Sequence, residues 1–434
     1  MANPIIEEPG KMEKSRKRKG NRFLFGLRKP WNWFVGLKQR GTDSINETGS
    51  SEIPGAGHMV DTMVNNRANV SSPVDTKKDD NGEQSTKMSS GKAVPSATAT
   101  ARTVPLSLLC FTFHHTLGQG SYSQVFLATD VIRKERVAIK VVNKMVYTVG
   151  CCSFAEQQIL QLSHGSPYLI HGLAAFHTSK CAYYVMEVAA RGDLQGFITR
   201  TGPLDIKTVK FIAAEVVCGI ESLHNHGILH CDLKLNNLLL TAEGHVKITD
   251  FGLAMTGAVD GRTSSLKGTP GYSAPEMVRG EAFGKGVDYF ALGVILYKVI
   301  TSKRPFPGRT DKDRQQSVLY HTPLYPATLA PDTVSFIQGL LCKNQFQRLG
   351  VYREVRTCPF FTNINWADVD AQRLAPPAVL VTGSVDLNVE DTLNYAEPPY
   401  LYYQKVKDEI FNQFSFVCTE WSRQYHPVTK TKSC

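Results

Sequence analysis

The sequence lacks the features that mark secreted, membrane-spanning and zinc-binding proteins. Its ten cysteines include no C-x-x-C spacing, which argues against zinc ribbons and against a disulfide framework. No apolar run approaches the ~18 residues of a membrane span, and the first residues, MANPIIEEPG, show no signal-peptide pattern. We therefore expect reduced thiols, no transmembrane segment and a cytoplasmic location, with nuclear or membrane-associated pools left open.

Positive charge is concentrated in one short segment. The formal net charge is +10, and residues 11–40 alone hold eleven Lys and Arg against one Glu. The rest of the chain is close to neutral, so no specific nucleic-acid binding is expected. Residues 14–40 mix cations with Phe and Trp, which suits an anionic membrane surface. Nuclear import through KSRKRK and a solvated disordered tail are alternatives that the sequence leaves open.

The remaining chain divides into regions of different composition. Residues 1–107 form a basic and polar region that we expect to be disordered, because Ser, Thr, Asn, Gly and Lys dominate 41–103. Strand-like runs, VFLAT and RVAIKVV, come next, followed by a helical FAEQQILQL and a strand, YYVMEV. A helix-rich part begins near 203, and the chain from about 362 is predicted to be an extended tail.

A glycine-rich stretch, LGQGSYSQVFLAT, occupies residues 117–129. Gly118 and Gly120 would let a turn between two strands offer backbone N–H groups to phosphates. Ser123 stands where a third glycine is expected, and Val125 would cover an adenine ring. Ordinary hairpin turns also contain paired glycines, so this stretch alone is weak evidence.

A lysine lies in the middle of the apolar strand VAIKVV, residues 137–142. Such a charge is costly unless it is used. Lys140 would pair with nucleotide phosphates and needs a carboxylate partner on a following helix. Glu156 is the natural candidate because it is the only acidic residue between Glu135 and Glu187.

The most specific segment is HCDLKLNN, residues 230–237. Phosphoryl transfer needs a carboxylate beside the attacking hydroxyl, which Asp232 would supply, and a cation near the phosphate, which fits Lys234. Asn237 would offer an amide oxygen to a metal ion. ITDFGLA then adds Asp250 as a second metal ligand.

A further segment, GTPGYSAPE, runs from 268 to 276. Thr269 would lie beside Asp232 at the floor of the substrate pocket. Glu276 is interpreted as structural, with Arg348 as its buried partner. Asp288 is predicted to anchor the catalytic loop from a core helix.

In this order and spacing the motifs resemble the eukaryotic protein kinases over roughly 111–361. The resemblance implies a bilobal α+β fold, with a mostly-β N-lobe over 108–187, a mostly-α C-lobe over 193–361 and a C-terminal tail over 362–434. The DLK and GTP sequences resemble Ser/Thr kinases. The implied activity is transfer of the γ-phosphate of ATP, with Mg²⁺, to protein substrates.

The resemblance also implies roles for individual residues. Met186 would be the gatekeeper, Glu187 and Val188 the hinge, and Asp193 a ribose contact. Catalysis is assigned to Asp232, Lys234 and Thr269, and metal binding to Asn237 and Asp250. The full nucleotide-binding set is Leu117, Gly118, Gln119, Gly120, Ser121, Tyr122, Ser123, Val125, Ala138, Lys140, Glu156, Met186, Glu187, Val188 and Asp193.

The tail sequence FNQFSFVCTEW, 411–421, is similar to the hydrophobic motif of AGC-group kinases, most of all protein kinase C. The similarity implies that Phe411 and Phe414 dock behind the helix bearing Glu156, and that Ser415 is phosphorylated. A loosely attached aromatic tail is the alternative.

Cys231 and the missing third glycine leave a pseudokinase open, and Asn236 weakens the expected preference for Arg and Lys before the target residue. Cys231 replaces the usual arginine before Asp232, so coupling to phosphorylation at Ser265, or at the alternatives Thr263 and Ser264, is in doubt. Asn236 stands where basophilic relatives tend to carry an acid. A pseudokinase scaffold is the main alternative, and a small-molecule kinase is disfavoured by the 268–276 segment.

Overall fold

The structure is a computed structural model that describes residues 103–120, 123–145, 154–257, 268–382, 393, 395 and 411–427. The chain divides into two units, Met1–Ala97 and Thr98–Cys434, and all described residues lie in the second. The basic segment 14–40, Ser121, Tyr122 and Ser265 lie outside the described residues.

The smaller lobe is built on a six-stranded antiparallel sheet with the strand order β11-β5-β6-β4-β3-β2. Runs such as RVAIKVVN are rich in β-branched residues, which favour a pleated, buried surface. In the described part the strands are β1 Val104–Pro105, β2 Phe111–Gln119, β3 Ser123–Asp130, β4 Arg136–Asn143, β5 Gly172–His177, β6 Cys181–Met186, β7 Ile228–Leu229, β8 Leu238–Leu240, β9 Val246–Ile248, β10 Met255–Thr256, β11 Phe416–Val417 and β12 Tyr425–His426.

Helices dominate the larger lobe, while the first helix belongs to the small lobe. In the described ranges they are α1 Ala155–Leu162, α2 Leu194–Thr201, α3 Ile206–Asn225, α4 Pro275–Arg279, α5 Gly286–Thr301, α6 Asp311–Tyr320, α7 Pro331–Leu340, α8 Trp366–Asp370 and α9 Ala378–Val381. Helix α3 begins where the Asp205 carboxylate accepts the N–H of Thr208. Helix α5 is buried on nearly every side, as its apolar sequence predicts.

Helix α1 packs closely against the sheet. A Cβ added at Gly172 would lie 2.6 Å from the Cβ of Leu160, so only glycine allows this approach of strand β5 to the helix. Ile159 and Leu160 bury their side chains in the same core. This packing fixes the helix whose first turn carries Glu156.

The C-terminal part is more structured than an extended tail. Helices α8 and α9 form within it, and β11 adds an edge strand to the sheet beside β5. Strand β12 pairs in parallel with β1, which starts at Val104, before the predicted domain start at 108. The end of the described chain is thus part of the small lobe.

Candidate active site

A charge cluster joins the two lobes around Lys140. Strand β4 holds Lys140 opposite Val125 on one side and Tyr184 on the other. Its Nζ lies 2.5 Å from Oε1 of Glu156 and 2.7 Å from Oδ1 of Asp250. The structure therefore brings together three residues that are far apart in the sequence.

The electrostatics of this cluster favour the charged forms of Lys140 and Asp250, whereas burial raises the pKa of Glu156. Burial disfavours the Lys140 ammonium, but the charges of Glu156 and Asp250 outweigh it and raise the pKa of Lys140. In turn the charge of Lys140 lowers the pKa of Asp250 to about 2. The Asp250 side chain is 45% exposed, so an ionised carboxylate faces the cleft between the lobes.

The second cluster is centred on Asp232. Its Oδ2 lies 2.6 Å from Nζ of Lys234, and its Oδ1 accepts the hydroxyl of Thr269 at 2.6 Å. The Lys234 ammonium also donates to Oγ1 of Thr269 at 3.1 Å. The three residues assigned to catalysis thus form one hydrogen-bonded group, with the Asp232 carboxylate held in a defined orientation.

Asp288 holds the catalytic loop in place from the core helix α5. Its carboxylate accepts the backbone N–H groups of His230 and Cys231, each at 2.9 Å, and lies 2.9 Å from Nε2 of His224. Cys231 has a φ of 64° and Asp250 a φ of 63°. Non-glycine residues rarely adopt this conformation, and such strain is concentrated at functional sites.

Asn237 and Asp250 fit a hard divalent cation. The Asn237 amide nitrogen donates to the backbone oxygen of Asp232 at 2.9 Å, and in the described part of the chain no donor occupies its amide oxygen. Together with the Asp250 carboxylate this makes two oxygen ligands. Magnesium sites of this kind use one or two protein oxygens, with nucleotide phosphates and water completing the shell.

The residues predicted to bind nucleotide lie around the junction of the lobes. Ala138 and Met186 face each other across strands β4 and β6. The Glu187 side chain is turned to Lys247, 2.6 Å away, and accepts the N–H of His171. The Glu187 N–H also donates to the backbone oxygen of His171 at 3.1 Å, which leaves the Glu187 backbone oxygen for a hinge contact. Val188 follows it and packs against the core.

Asp193 and the glycine-rich strand carry the remaining residues that were predicted to bind nucleotide. The Asp193 carboxylate caps helix α2 by accepting the N–H of Gly196 at 2.6 Å. Gly118 pairs with Val125, between the half-exposed Leu117 and Gln119, and the Gly120 N–H donates to the oxygen of Ser123 at 2.8 Å. A Cβ added at Gly118 would meet nothing within 4 Å, so this glycine leaves space over the cleft.

The tail docks against the helix that carries Glu156. Phe411 and Phe414 are buried, and the ring centroid of Phe154 lies 5.3 Å from that of Phe411. Gln157 in helix α1 donates to the backbone oxygen of Gln413 at 3.4 Å. The half-buried Ser415 follows between Phe414 and Phe416. The tail therefore contacts α1 directly.

The tail has a second anchor that its sequence did not predict. The guanidinium carbon of Arg133 lies over Trp421, 5.4 Å from the centroid of the Trp421 ring. Arg133 also pairs with Glu420 at 2.7 Å. Tyr425 bonds to the buried Asp130. The clustered aromatics after residue 411 were the sequence signal for this anchor, but its partners, Arg133 and Asp130, lie almost 300 residues away in the sequence.

The expected Glu276–Arg348 pair is present and buried, with a shortest distance of 2.5 Å.

A two-lobed fold with these two charge clusters defines a protein kinase. The family model for the protein kinase domain matches residues 111–361. The chain belongs to the protein kinase family. Its fold and motifs are those of a Ser/Thr kinase of the AGC group similar to protein kinase C. Protein kinase domains use ATP and a divalent metal ion and act on protein substrates.

Several protein kinase C proteins are among the curated proteins similar to this chain. Protein kinase C delta type of Mus musculus is 34% identical over 318 residues, covering 71% of this chain and 47% of the relative. Protein kinase C of Drosophila melanogaster is 36% identical over 288 residues, covering 65% and 39%. Protein kinase C-like 1B of Caenorhabditis elegans is 33% identical over 356 residues, covering 78% and 49%. The chain spans less than half the length of these relatives.

None of the helices in the described ranges has both the length and the apolar character needed to cross a bilayer.

Proposed function

We propose that this chain is an active Ser/Thr protein kinase that transfers the γ-phosphate of Mg-ATP to protein hydroxyls. The observation that carries the proposal is the convergence of two complete charge clusters at one cleft. Lys140, Glu156 and Asp250 form the first, and Asp232 and Lys234, with Thr269, form the second. A scaffold that does not transfer phosphate does not require all of these groups.

The geometry supports a specific division of labour. Asp232 orients the attacking hydroxyl and takes its proton as the substrate oxygen bonds to phosphorus and the bond to the ADP oxygen breaks. Lys234 stabilises the charge on the transferred group, and Thr269 keeps Asp232 and Lys234 aligned. ATP, when bound, supplies the phosphoryl group, and its magnesium ion offsets the negative charge of the phosphates. Lys140 holds the phosphates, and Asn237 and Asp250 provide the metal ligands.

We also propose that the tail controls the position of helix α1. Burial of Phe411 and Phe414 contributes about 1.5–3 kcal/mol for each ring and favours the position in which Glu156 meets Lys140. Phosphorylation of Ser415 would add charge at the edge of this docking site. A similar modification at Ser265 would act without the arginine that Cys231 replaces.

A substitution at Asp232 separates the kinase from a pseudokinase scaffold. Purified full-length chain is assayed for transfer from labelled ATP to a mixed Ser/Thr peptide library. Asp232→Asn is expected to lower kcat by about 10²–10⁴, with an unchanged thermal midpoint. The matched control, Asp368→Asn, makes the same chemical change at an exposed ion pair with Arg373 and should keep full activity. Equal transfer by wild type and Asp232→Asn would favour the scaffold.

For the N-terminal region we propose binding to anionic membranes through residues 14–40, which would give the protein a cytoplasmic and membrane-associated distribution. The support is the sequence pattern, since each basic residue near such a surface adds about 1 kcal/mol. Full-length chain should cosediment with phosphatidylserine vesicles and not with phosphatidylcholine vesicles. Replacing Trp31 and Trp33 by Ala should weaken this binding. No pelleting with the anionic vesicles would contradict the proposal.

A further inference from the structure

The last turn of helix α5 places a lysine beside the substrate side of the cleft. The Lys298 ammonium donates to the hydroxyl of Tyr272 at 2.5 Å and to Oε1 of Gln195 at 3.1 Å. It also lies 4.9 Å from the Tyr272 ring centroid. The Tyr272 N–H donates to the backbone oxygen of Thr269 at 3.0 Å. Lys298 therefore contacts the segment whose Thr269 hydroxyl bonds to Asp232.

No acidic side chain in the described part of the chain balances the charge of Lys298. Among the residues that the structure describes, its hydrogen-bond partners are neutral and no carboxylate lies within ion-pair distance. Lys140, Lys234 and Lys247, which are also at least half-buried, each contact a carboxylate at 2.5–2.7 Å. A half-buried ammonium without a counter-ion is costly, so an anion supplied by a ligand would complete its surroundings.

The neighbouring groups add to this excess of positive charge. Burial of Lys298 lowers its pKa to about 8, and the charge of Arg304 contributes to this shift. Arg304 follows helix α5 and is exposed. The Asp193 carboxylate, two residues before Gln195, accepts hydrogen bonds from the Gly196 N–H at the start of α2 and from the Asn236 amide at 3.4 Å. A basic side chain of a substrate would find repulsion here, whereas an acidic one would find two cations.

We infer that this kinase selects hydroxyls flanked by Asp or Glu, with Lys298 and Arg304 as the residues that bind the acidic side chain. The inference rests on the proposed kinase activity and names its substrate class. Tyr272 and Gln195 act as positioning residues that hold the Lys298 ammonium toward the cleft. A substrate groove lined by acidic residues would instead favour Lys or Arg beside the hydroxyl.

The protonation of Lys298 gives the inference a pH signature. Among the described residues, its ammonium contacts the neutral Gln195 amide from α2 and the Tyr272 hydroxyl, whose own pKa is raised to about 12 by burial. The Arg304 cation after α5 acts on it through its charge. Tyr272 therefore stays neutral while Lys298 titrates. Since the Lys298 pKa is about 8, its charge is lost as the pH rises through that value. KM for an acidic peptide should rise above pH 8, while KM for a neutral peptide should not.

Matched peptides and charge-reversal variants test the inference. Three serine peptides of equal length carry Glu, Gln or Lys around the phosphoacceptor, and kcat/KM is measured with the full-length chain. The wild type should favour the Glu peptide over the Lys peptide by about tenfold or more. Lys298→Met should remove this preference mainly through KM, and Lys298→Glu should invert it. Lys285→Glu makes the same charge change roughly 20 Å away at the other end of α5 and should leave the preference intact.

The possible outcomes are distinguishable. If the Lys298 variants have a lowered thermal midpoint, Arg304→Glu tests the same preference at an exposed residue and should reduce it. A wild-type preference for the Lys peptide, or an unchanged ratio in Lys298→Glu, would overturn the inference while the kinase activity stands. Transfer to none of the three peptides by a wild type that binds ATP would overturn the proposed function and the inference with it.

Discussion

The Tyr425 hydroxyl lies 2.7 and 2.8 Å from the two carboxylate oxygens of Asp130, and its proton bonds between them. Asp130 has no exposed surface and also accepts the N–H groups of Ile132 and Arg133. Burial, together with the neighbouring carboxylate, raises the pKa of Tyr425. The phenol therefore stays neutral, and it fixes the last described strand to the turn after β3.

This pair predicts a stability effect at the end of the chain. Tyr425→Phe removes the hydroxyl and leaves a buried carboxylate with one donor fewer, so the free energy of unfolding should fall by about 1–3 kcal/mol. Urea unfolding measures the change. Tyr320→Phe removes a hydroxyl from a side chain that is 75% exposed and serves as the control. Equal stability of wild type and Tyr425→Phe would mean that the contact contributes nothing.

The docked tail predicts that a substitution outside the catalytic cleft lowers activity. Phe414→Ala removes a buried ring that packs on Phe154 and Tyr184. Truncating such a ring costs about 3–5 kcal/mol of packing, part of which holds helix α1. We expect kcat/KM to fall by about tenfold or more. If the tail acts through α1, adding Glu156→Gln should lower kcat/KM by a smaller factor in this variant than in the wild type.

A control for the tail comes from the surface. Phe346→Ala truncates a ring that is 74% exposed, and both activity and stability should stay within error of the wild type. Full activity of Phe414→Ala with a normal response to Glu156→Gln would show that the tail is not coupled to the site.

The buried pair of Glu276 and Arg348 predicts opposite effects for single and double substitutions. Removing one partner leaves an uncompensated charge, so Arg348→Met should destabilise the protein by about 3–5 kcal/mol. Glu276→Leu combined with Arg348→Met should recover most of that loss, because neither charge remains. Thermal and urea unfolding of Arg348→Met, of Glu276→Leu and of the double variant would measure this. A double variant as unstable as the sum of the singles would contradict the prediction.

Asp250 predicts a pH dependence whose sign follows from its low pKa. The folded-state pKa, about 2, lies below the ordinary value of 3.8. The stabilising contribution is therefore present above about pH 4 and is lost as the pH falls toward 2. Measured by urea unfolding at pH 5, 4, 3 and 2, the wild type should lose stability relative to Asp250→Asn over this range. A constant difference between the two proteins would show that Lys140 does not hold the carboxylate in its ionised form.

The sequence was sufficient for residues whose chemistry is rare. A lysine inside an apolar strand is costly, so Lys140 could be identified together with Glu156 before any coordinates. Asp232, Lys234 and Asn237 lie within six residues, and a short loop brings such neighbours together in most conformations. The bilobal fold then followed from the order of the motifs.

Other residues depend on tertiary contacts that leave no local pattern. Lys298 in an apolar helix looks like a surface position until its contacts with Tyr272 and Gln195 are known. Trp421 and Tyr425 find their partners, Arg133 and Asp130, across almost the whole domain. The side chain of Glu187 is turned toward Lys247, although its position in the sequence suggested a pocket contact.

The parallel pairing of β1 with β12 has a mechanical consequence. The Val104 N–H donates to Gln424 at 2.8 Å, and the Leu106 N–H donates to His426 at 3.2 Å. The two strands run side by side in the same direction, so tension applied between Thr103 and Pro427 shears these bonds simultaneously. Rupture in shear needs more force than peeling bonds one after another, and it would release the segment that follows Phe411 and Phe414. A pull on the ends of this domain would thus reach the Glu156 helix only above a threshold force.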